Sequence, residues 1–147
     1  MLLLMKPFEL QVQVRYAETD AMGVVHHSRY FVWLELARIE WLKHLGLNYK
    51  EMEKRGFFIP VVQADLSYKM PVFFDDVLRI VLLPPEAYRR AKFTINYEIF
   101  RNQDRVASGF TSHAFINAQR RLIPPPDFFV KKLQETMVLI SGQFKKL

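Results

Sequence analysis

From Tyr30 to Leu45 the chain encodes a helix with more apolar surface than one flat partner can cover. Tyr30, Leu34, Ala37, Trp41 and Leu45 recur at helical spacing and form one stripe. Phe31, Leu36, Ile39 and Leu42 lie elsewhere around the same helix, where a surface helix would carry polar groups. Such a helix is expected to be covered on more than one side, as when a curved sheet wraps it. Ser28 is placed to cap its start, and Gly46 to end it. Asn48 to Arg55 reads as a short second helix closed by Gly56.

Around the helix the periodicity is that of strands. Leu10 to Tyr16 alternates strictly before it. After it, Val62 to Lys69 alternates, and Val77 to Leu83 is an apolar run between Asp75-Asp76 and Pro84-Pro85. Phe93 to Ile99 alternates again, and Asn102-Gln103-Asp104 has the composition of a hairpin turn. Arg105 to Asn117 reads as a long last strand whose Ala107, Ser108 and Gly109 would let a helix approach closely. Pro124-Pro125-Pro126 stops it, and residues 127–139 suit a terminal helix. One strand, a long helix and four antiparallel strands make an α+β domain, expected to span 1–147. No repeat, linker or low-complexity segment interrupts it.

Half the residues are hydrophobic, which argues against disorder, and there is no cysteine for a disulfide or a thiolate metal site. The run Met1 to Met5 is broken at once by Lys6-Pro7, too short for a signal peptide or a bilayer span, so a cytoplasmic location is expected. The net charge of +6 describes either a basic solvated surface or an anionic partner.

The chemistry-bearing stretch runs from Tyr16 to Glu35, YAETDAMGVVHHSRYFVWLE. It sets Asp20 a short loop from a helix start, where backbone N–H groups are unpaired and partially positive. A carboxylate facing such donors can attack a carbonyl whose oxygen they hold, or serve as a base. The plainer reading of Asp20 is loop capping. Gly23 permits a positive φ or a close ligand. At His27 the backbone N–H is the candidate oxyanion donor, against the simpler reading of a polar residue at the helix mouth. His26 reads as a surface or substrate-contact group, His113 as a strand residue facing solvent or a subunit contact. Adjacent side chains at 26 and 27 should diverge, and no metal-binding spacing exists, so no metal is expected. Glu35 and Arg38 are spaced for an i,i+3 ion pair, and Tyr16 should pack beside the turn.

Tyr16-x-Glu18-Thr19-Asp20-x-x-Gly23-x-Val25, followed by Tyr30 and Glu35, resembles the signature of hotdog-fold acyl-CoA thioesterases. The types it is most similar to are the 4-hydroxybenzoyl-CoA thioesterases and those associated with the Tol-Pal system. The resemblance implies a five-stranded antiparallel sheet wrapped around one long helix. It implies edge-to-edge dimers that pair again into tetramers, with a pocket between helix and neighbouring subunit. Met22, Phe57, Phe58 and Tyr68 could shape that pocket. It implies hydrolysis of an acyl-CoA to free acid and CoA, with Asp20 catalytic, His27 at the oxyanion site, and Gly23, Val25 and Tyr30 against the substrate. No cofactor is implied. Arg89, Arg90 and Lys92 would meet the phosphates of CoA, with Lys69, Arg120 and Arg121 as secondary candidates. Asp75-Asp76 stands where the family often has Gly-Asp. Within the same fold the alternative is a hydroxyacyl dehydratase or hydratase, which wants a paired His and acid. The alternatives outside catalysis are an acyl-CoA-binding protein and, with few exposed aromatics to support it, a nucleic-acid binder.

Overall fold

A computed structural model describes residues 3–85, 91–135 and 137–139. The chain order is β1 (Leu3–Met5), β2 (Phe8–Gln13), α1 (Arg29–His44), α2 (Tyr49–Lys54), β3 (Val61–Tyr68), β4 (Val77–Leu83), β5 (Lys92–Arg101), β6 (Asp104–Ala114), α3 (Asp127–Glu135) and β7 (Met137–Leu139). Five strands form one antiparallel sheet in the order β2-β4-β5-β6-β3. This is the hotdog arrangement, with α1 lying on the sheet against β2 and β4.

The stripe of α1 is buried as its spacing requires: Tyr30, Leu34, Ala37, Trp41 and Leu45 all lie in the core. They meet Leu78, Ile80 and Leu82 of β4 and the inward residues Phe93, Ile95, Tyr97 and Ile99 of β5. Removing one such side chain, Leu34 for example, would cost about 2–5 kcal/mol, because the packed surroundings only partly collapse. Gly46 takes φ 78 one residue past the α1 C-cap, and Asn48 caps α2 by accepting from the Lys50 N–H. Val32 and Leu36 stay 49% and 42% exposed, so the expected excess of apolar helix surface is present and uncovered within one chain.

Several boundaries differ from the sequence reading, each because a partner ends. The first strand stops at Gln13 because β4 begins at Val77, and the chain turns into a 3₁₀ turn at Tyr16–Glu18. The last long strand stops at Ala114, opposite Lys92 at the start of β5, and does not reach Asn117. The terminal helix ends at Glu135; Met137–Leu139 instead pairs with Leu3–Met5 in a separate two-stranded sheet. Gly109 admits no helix. It admits β3: a Cβ there would meet the Asp65 carbonyl oxygen at 2.0 Å, so only glycine lets the two backbones pair.

β3 is the exposed edge of the sheet. Seven of its eight residues are exposed on one face or the other, among them Val61, Val62 and Tyr68. A long edge strand with apolar residues is a template for pairing with another chain.

Candidate active site

The loop from Arg15 to Ser28 is built on Glu18, which is only 2% exposed. Its Oε1 accepts from the Arg15 N–H at 2.8 Å and its Oε2 from the Trp33 indole at 2.8 Å. Its carbonyl accepts from the His26 N–H at 2.9 Å. An acid in the loop thus anchors both ends of the loop and the first turn of α1. The sequence reading gave Glu18 no role; the cue was an acid two residues before Asp20 with a tryptophan on the following helix.

Beyond Glu18 the chain makes a tight turn at Asp20. The Asp20 carbonyl accepts from the Gly23 N–H at 2.9 Å, and its Oδ1 accepts from the Met22 N–H at 2.8 Å. The loop-capping reading of Asp20 is therefore correct for one carboxylate oxygen. Oδ2 accepts no hydrogen bond among the described residues and is available for chemistry. Gly23 has φ 81 with open space where a Cβ would stand, so conformation and not crowding calls for glycine.

A second loop, 69–76, supports the first. Val25 N–H donates to the Val72 carbonyl at 2.8 Å, and Val24 bridges Phe73. Arg101 fixes this loop by donating to Asp76 Oδ2 at 2.7 Å and to the Pro71 carbonyl at 3.0 Å. Asp75 takes φ 67, the left-handed conformation that suits glycine best, so the Asp-for-Gly exchange keeps the turn. Tyr16 is 76% exposed and packs edge-on against Phe74 of this second loop.

At the mouth of α1, Ser28 occupies the cap position without capping. Its hydroxyl bonds His26 Nδ1 at 2.8 Å, and the Arg29 N–H is met by the His26 carbonyl. The His26 and His27 rings do not diverge; they lie against each other with centroids 4.1 Å apart and planes tilted by 32°. No acceptor among the described residues takes the His27 N–H, whereas the His27 carbonyl accepts from the Tyr68 hydroxyl at 2.7 Å. No group of three potential metal ligands exists among the described residues.

These pieces surround one cleft of about 340 Å³ that brings together Asp20, Val25, His27, Tyr30, Tyr68 and Lys69. Met22 borders it too, whereas Gly23 is not among the residues that line it. Burial, then the neighbouring Tyr68, push the Tyr30 hydroxyl up to about 12, with Arg101 opposing, so Tyr30 stays neutral and is no base. Larger clefts open at Phe58 and at Phe8, but the second lies at His44, the C-terminal end of α1, where the helix dipole repels an oxyanion. Of the two clefts at the ends of α1, the one at its N-terminus has the polarity that suits an oxyanion.

A model of the thioesterase-like superfamily matches residues 14–133, which contain the whole cleft. The chain belongs to that superfamily. It is 32% identical over 119 residues to the 1,4-dihydroxy-2-naphthoyl-CoA hydrolase of Synechococcus sp. strain CC9605, covering 77% of this chain and 79% of that one. A DHNA-CoA thioesterase from Staphylococcus aureus superposes with a TM-score of 0.77 at 30% identity, over 88% of this chain and 87% of that one. A hypothetical protein from Thermus thermophilus superposes with a TM-score of 0.82 at 35% identity, over 88% and 98%. This superfamily member is a thioester hydrolase of hotdog fold. The 4-hydroxybenzoyl-CoA and Tol-Pal types are not singled out by these relatives, two of which bear dihydroxynaphthoyl-CoA names.

Other expected site residues of this thioesterase fall elsewhere. Lys92 opens β5, whose far end, Arg101, holds the cleft loop; the two ends are about 30 Å apart. Arg89 and Arg90 lie outside the described residues. Phe57 packs on Phe128, and Phe58 lines the far cleft, so within one chain neither reaches Asp20. Glu35 is exposed and makes no ion pair with Arg38 among the described residues. Arg38 is instead buried, its Nε 3.4 Å from the Tyr49 hydroxyl. Burial works against its charge, but Tyr97 and Tyr49 outweigh it and hold the guanidinium protonated. His113 faces neither solvent nor a subunit. It is fully buried, bonded to Thr111 at 2.8 Å and stacked on Phe93.

Proposed function

We propose that the chain hydrolyses an acyl-CoA thioester in the cleft at the α1 N-terminus, with Asp20 as nucleophile or general base and the His27 N–H as oxyanion donor. The observation that carries this is the pairing of an unengaged carboxylate oxygen with an unpartnered N–H in one cleft at a helix start. As nucleophile, Asp20 forms an acyl anhydride while the C–S bond breaks and the thiolate of CoA takes a proton; water then cleaves the anhydride. As base, Asp20 takes a proton from water, whose oxygen adds to the carbonyl before the thiolate leaves. In both routes negative charge gathers on the thioester oxygen, where a preorganised N–H acts most strongly. Val25, Tyr30 and the Gly23 turn would bound the acyl group. The Tyr30–Tyr68 edge-on pair, with Met22 and Met70 beside it, favours an aryl acyl group, in keeping with the dihydroxynaphthoyl-CoA hydrolases among the relatives.

The site is completed by a second copy. An isologous two-fold at the β3 edge pairs two β3 strands antiparallel, which supports a dimer with a continuous sheet. The Val61 end of the partner then lies beside the Tyr68 end of this chain, bringing the β5 end that starts at the partner's Lys92 toward the cleft that holds Asp20. Exposed Val32 and Leu36 on α1 offer a further apolar face for pairing dimers into a tetramer.

Thiol release from a panel of short, long and aromatic acyl-CoA esters tests the reading. Hydrolysis fastest on aryl esters is expected. Binding without turnover would make the chain an acyl-CoA binder, and no interaction with any ester would remove CoA esters altogether.

A further inference from the structure

We propose that Tyr68 is a positioning residue for thioester cleavage, holding the His27 backbone so that its N–H is fixed before charge develops on the substrate. The inference rests on the thioesterase reading above and adds a residue to it. Tyr68 ends the edge strand β3, forty-one residues from the helix mouth, yet its hydroxyl donates to the His27 carbonyl at 2.7 Å.

The backbone of His27 is then restrained from both sides. On the preceding peptide, the His26 carbonyl accepts from the Arg29 N–H at 3.0 Å. On the following peptide, Tyr68 holds the carbonyl and the Ser28 N–H reaches His26 Nδ1 at 3.2 Å. His27 is not yet helical, so no ladder of helix bonds fixes these two peptides. Take away the hydroxyl and the 27–28 peptide loses its tie to the sheet. The two peptides share the His27 Cα, so freeing the second lets the N–H on the first swing; an oxyanion donor that must reorganise at the moment of reaction lowers the rate and not the affinity. Burial raises the Tyr68 hydroxyl above the ordinary tyrosine value, which keeps it a donor throughout the neutral range.

A packing role would rest on the ring alone, which stands edge-on to buried Tyr30 at 4.9 Å. Tyr68→Phe separates the two, since it keeps the ring and deletes one oxygen. On the best acyl-CoA the variant should lose roughly tenfold in kcat, less than the 10²- to 10³-fold of deleting a direct donor. Its KM and sedimentation should match wild type. The backbone amide resonances of His27 and Ser28 should shift, while the rest of the amide spectrum stays that of the folded protein. Wild-type kcat in Tyr68→Phe, with those two resonances unmoved, overturns the proposal and leaves the thioesterase reading standing. A wild-type protein inactive on every acyl-CoA sinks that reading and this role with it.

Discussion

Trp33 donates its indole N–H to Glu18 across 2.8 Å inside the protein, and the bond fastens the loop carrying Asp20 to the helix whose N-terminus that loop faces. The spacing of carboxylate and helix mouth depends on it. Neither group can find water as a substitute, because Glu18 and Trp33 are both buried.

Glu18→Ala leaves the Trp33 and Arg15 N–H groups without acceptors. Arg15 is exposed and can turn to water, but the buried Trp33 orphan costs about 1–3 kcal/mol, so a drop in urea midpoint is expected, with a change in Trp33 fluorescence. Thioester hydrolysis should fall as well. Unchanged stability and fluorescence would show that the loop is held by other means.

A second prediction concerns pH. Burial, then the nearby Arg38, lower the His113 imidazole to about 3, with the Ile59 backbone opposing. The unfolded chain protonates this histidine near 6.5, so below that value the unfolded state binds the extra proton and the folded state does not. Stability from neutral His113 is therefore full above 6.5 and lost as pH falls toward 3, by up to about 1.4 kcal/mol per unit. Urea unfolding of wild type and His113→Gln at pH 7.5, 6 and 5 checks this. Wild type should lose stability faster on acidification, and parallel curves would contradict it.

The long helix was legible because its period reports burial directly: every residue of the Tyr30 to Leu45 stripe is in the core, whereas alternation located β3 but not its exposure on both faces. Strand ends were not, since Gln13 and Ala114 end where their ladder partners begin or stop. Arg38 and His113 were misread for a related reason. Their surroundings come largely from Tyr49, Tyr97 and Ile59, on three other segments that no short window around either residue contains. At the candidate site, Asp20 and His27, read from one stretch, line one cleft, but the basic residues were read beside them without the direction of β5. The register carries Lys92 to the opposite end of the sheet.

That separation yields a third prediction. Arg89→Ala with Arg90→Ala should raise KM for CoA esters with little change in kcat, because phosphate anchoring is uniform binding. Mixed by unfolding and refolding with an Asp20→Asn chain, this double variant should regain native-like sites. Random pairing restores about a quarter of all sites if each is shared between two copies. No regain on mixing would place both groups within one chain or show that these arginines do not read the nucleotide.

A fourth concerns assembly itself. Val62→Lys puts a charge on the exposed β3 edge and should weaken self-association and hydrolysis together in equilibrium sedimentation and thiol-release assays. A wild-type monomer at micromolar concentration would contradict the shared site.

Asp20→Asn is the decisive case. The substitution preserves shape and leaves an oxygen to accept from the Met22 N–H, yet removes the charge that makes Asp20 a nucleophile or base. Steady-state thiol release should fall by at least about 10²-fold in kcat, with CoA binding and sedimentation unchanged. Wild-type turnover in Asp20→Asn would mean that the carboxylate only caps its turn and that the chemistry lies elsewhere.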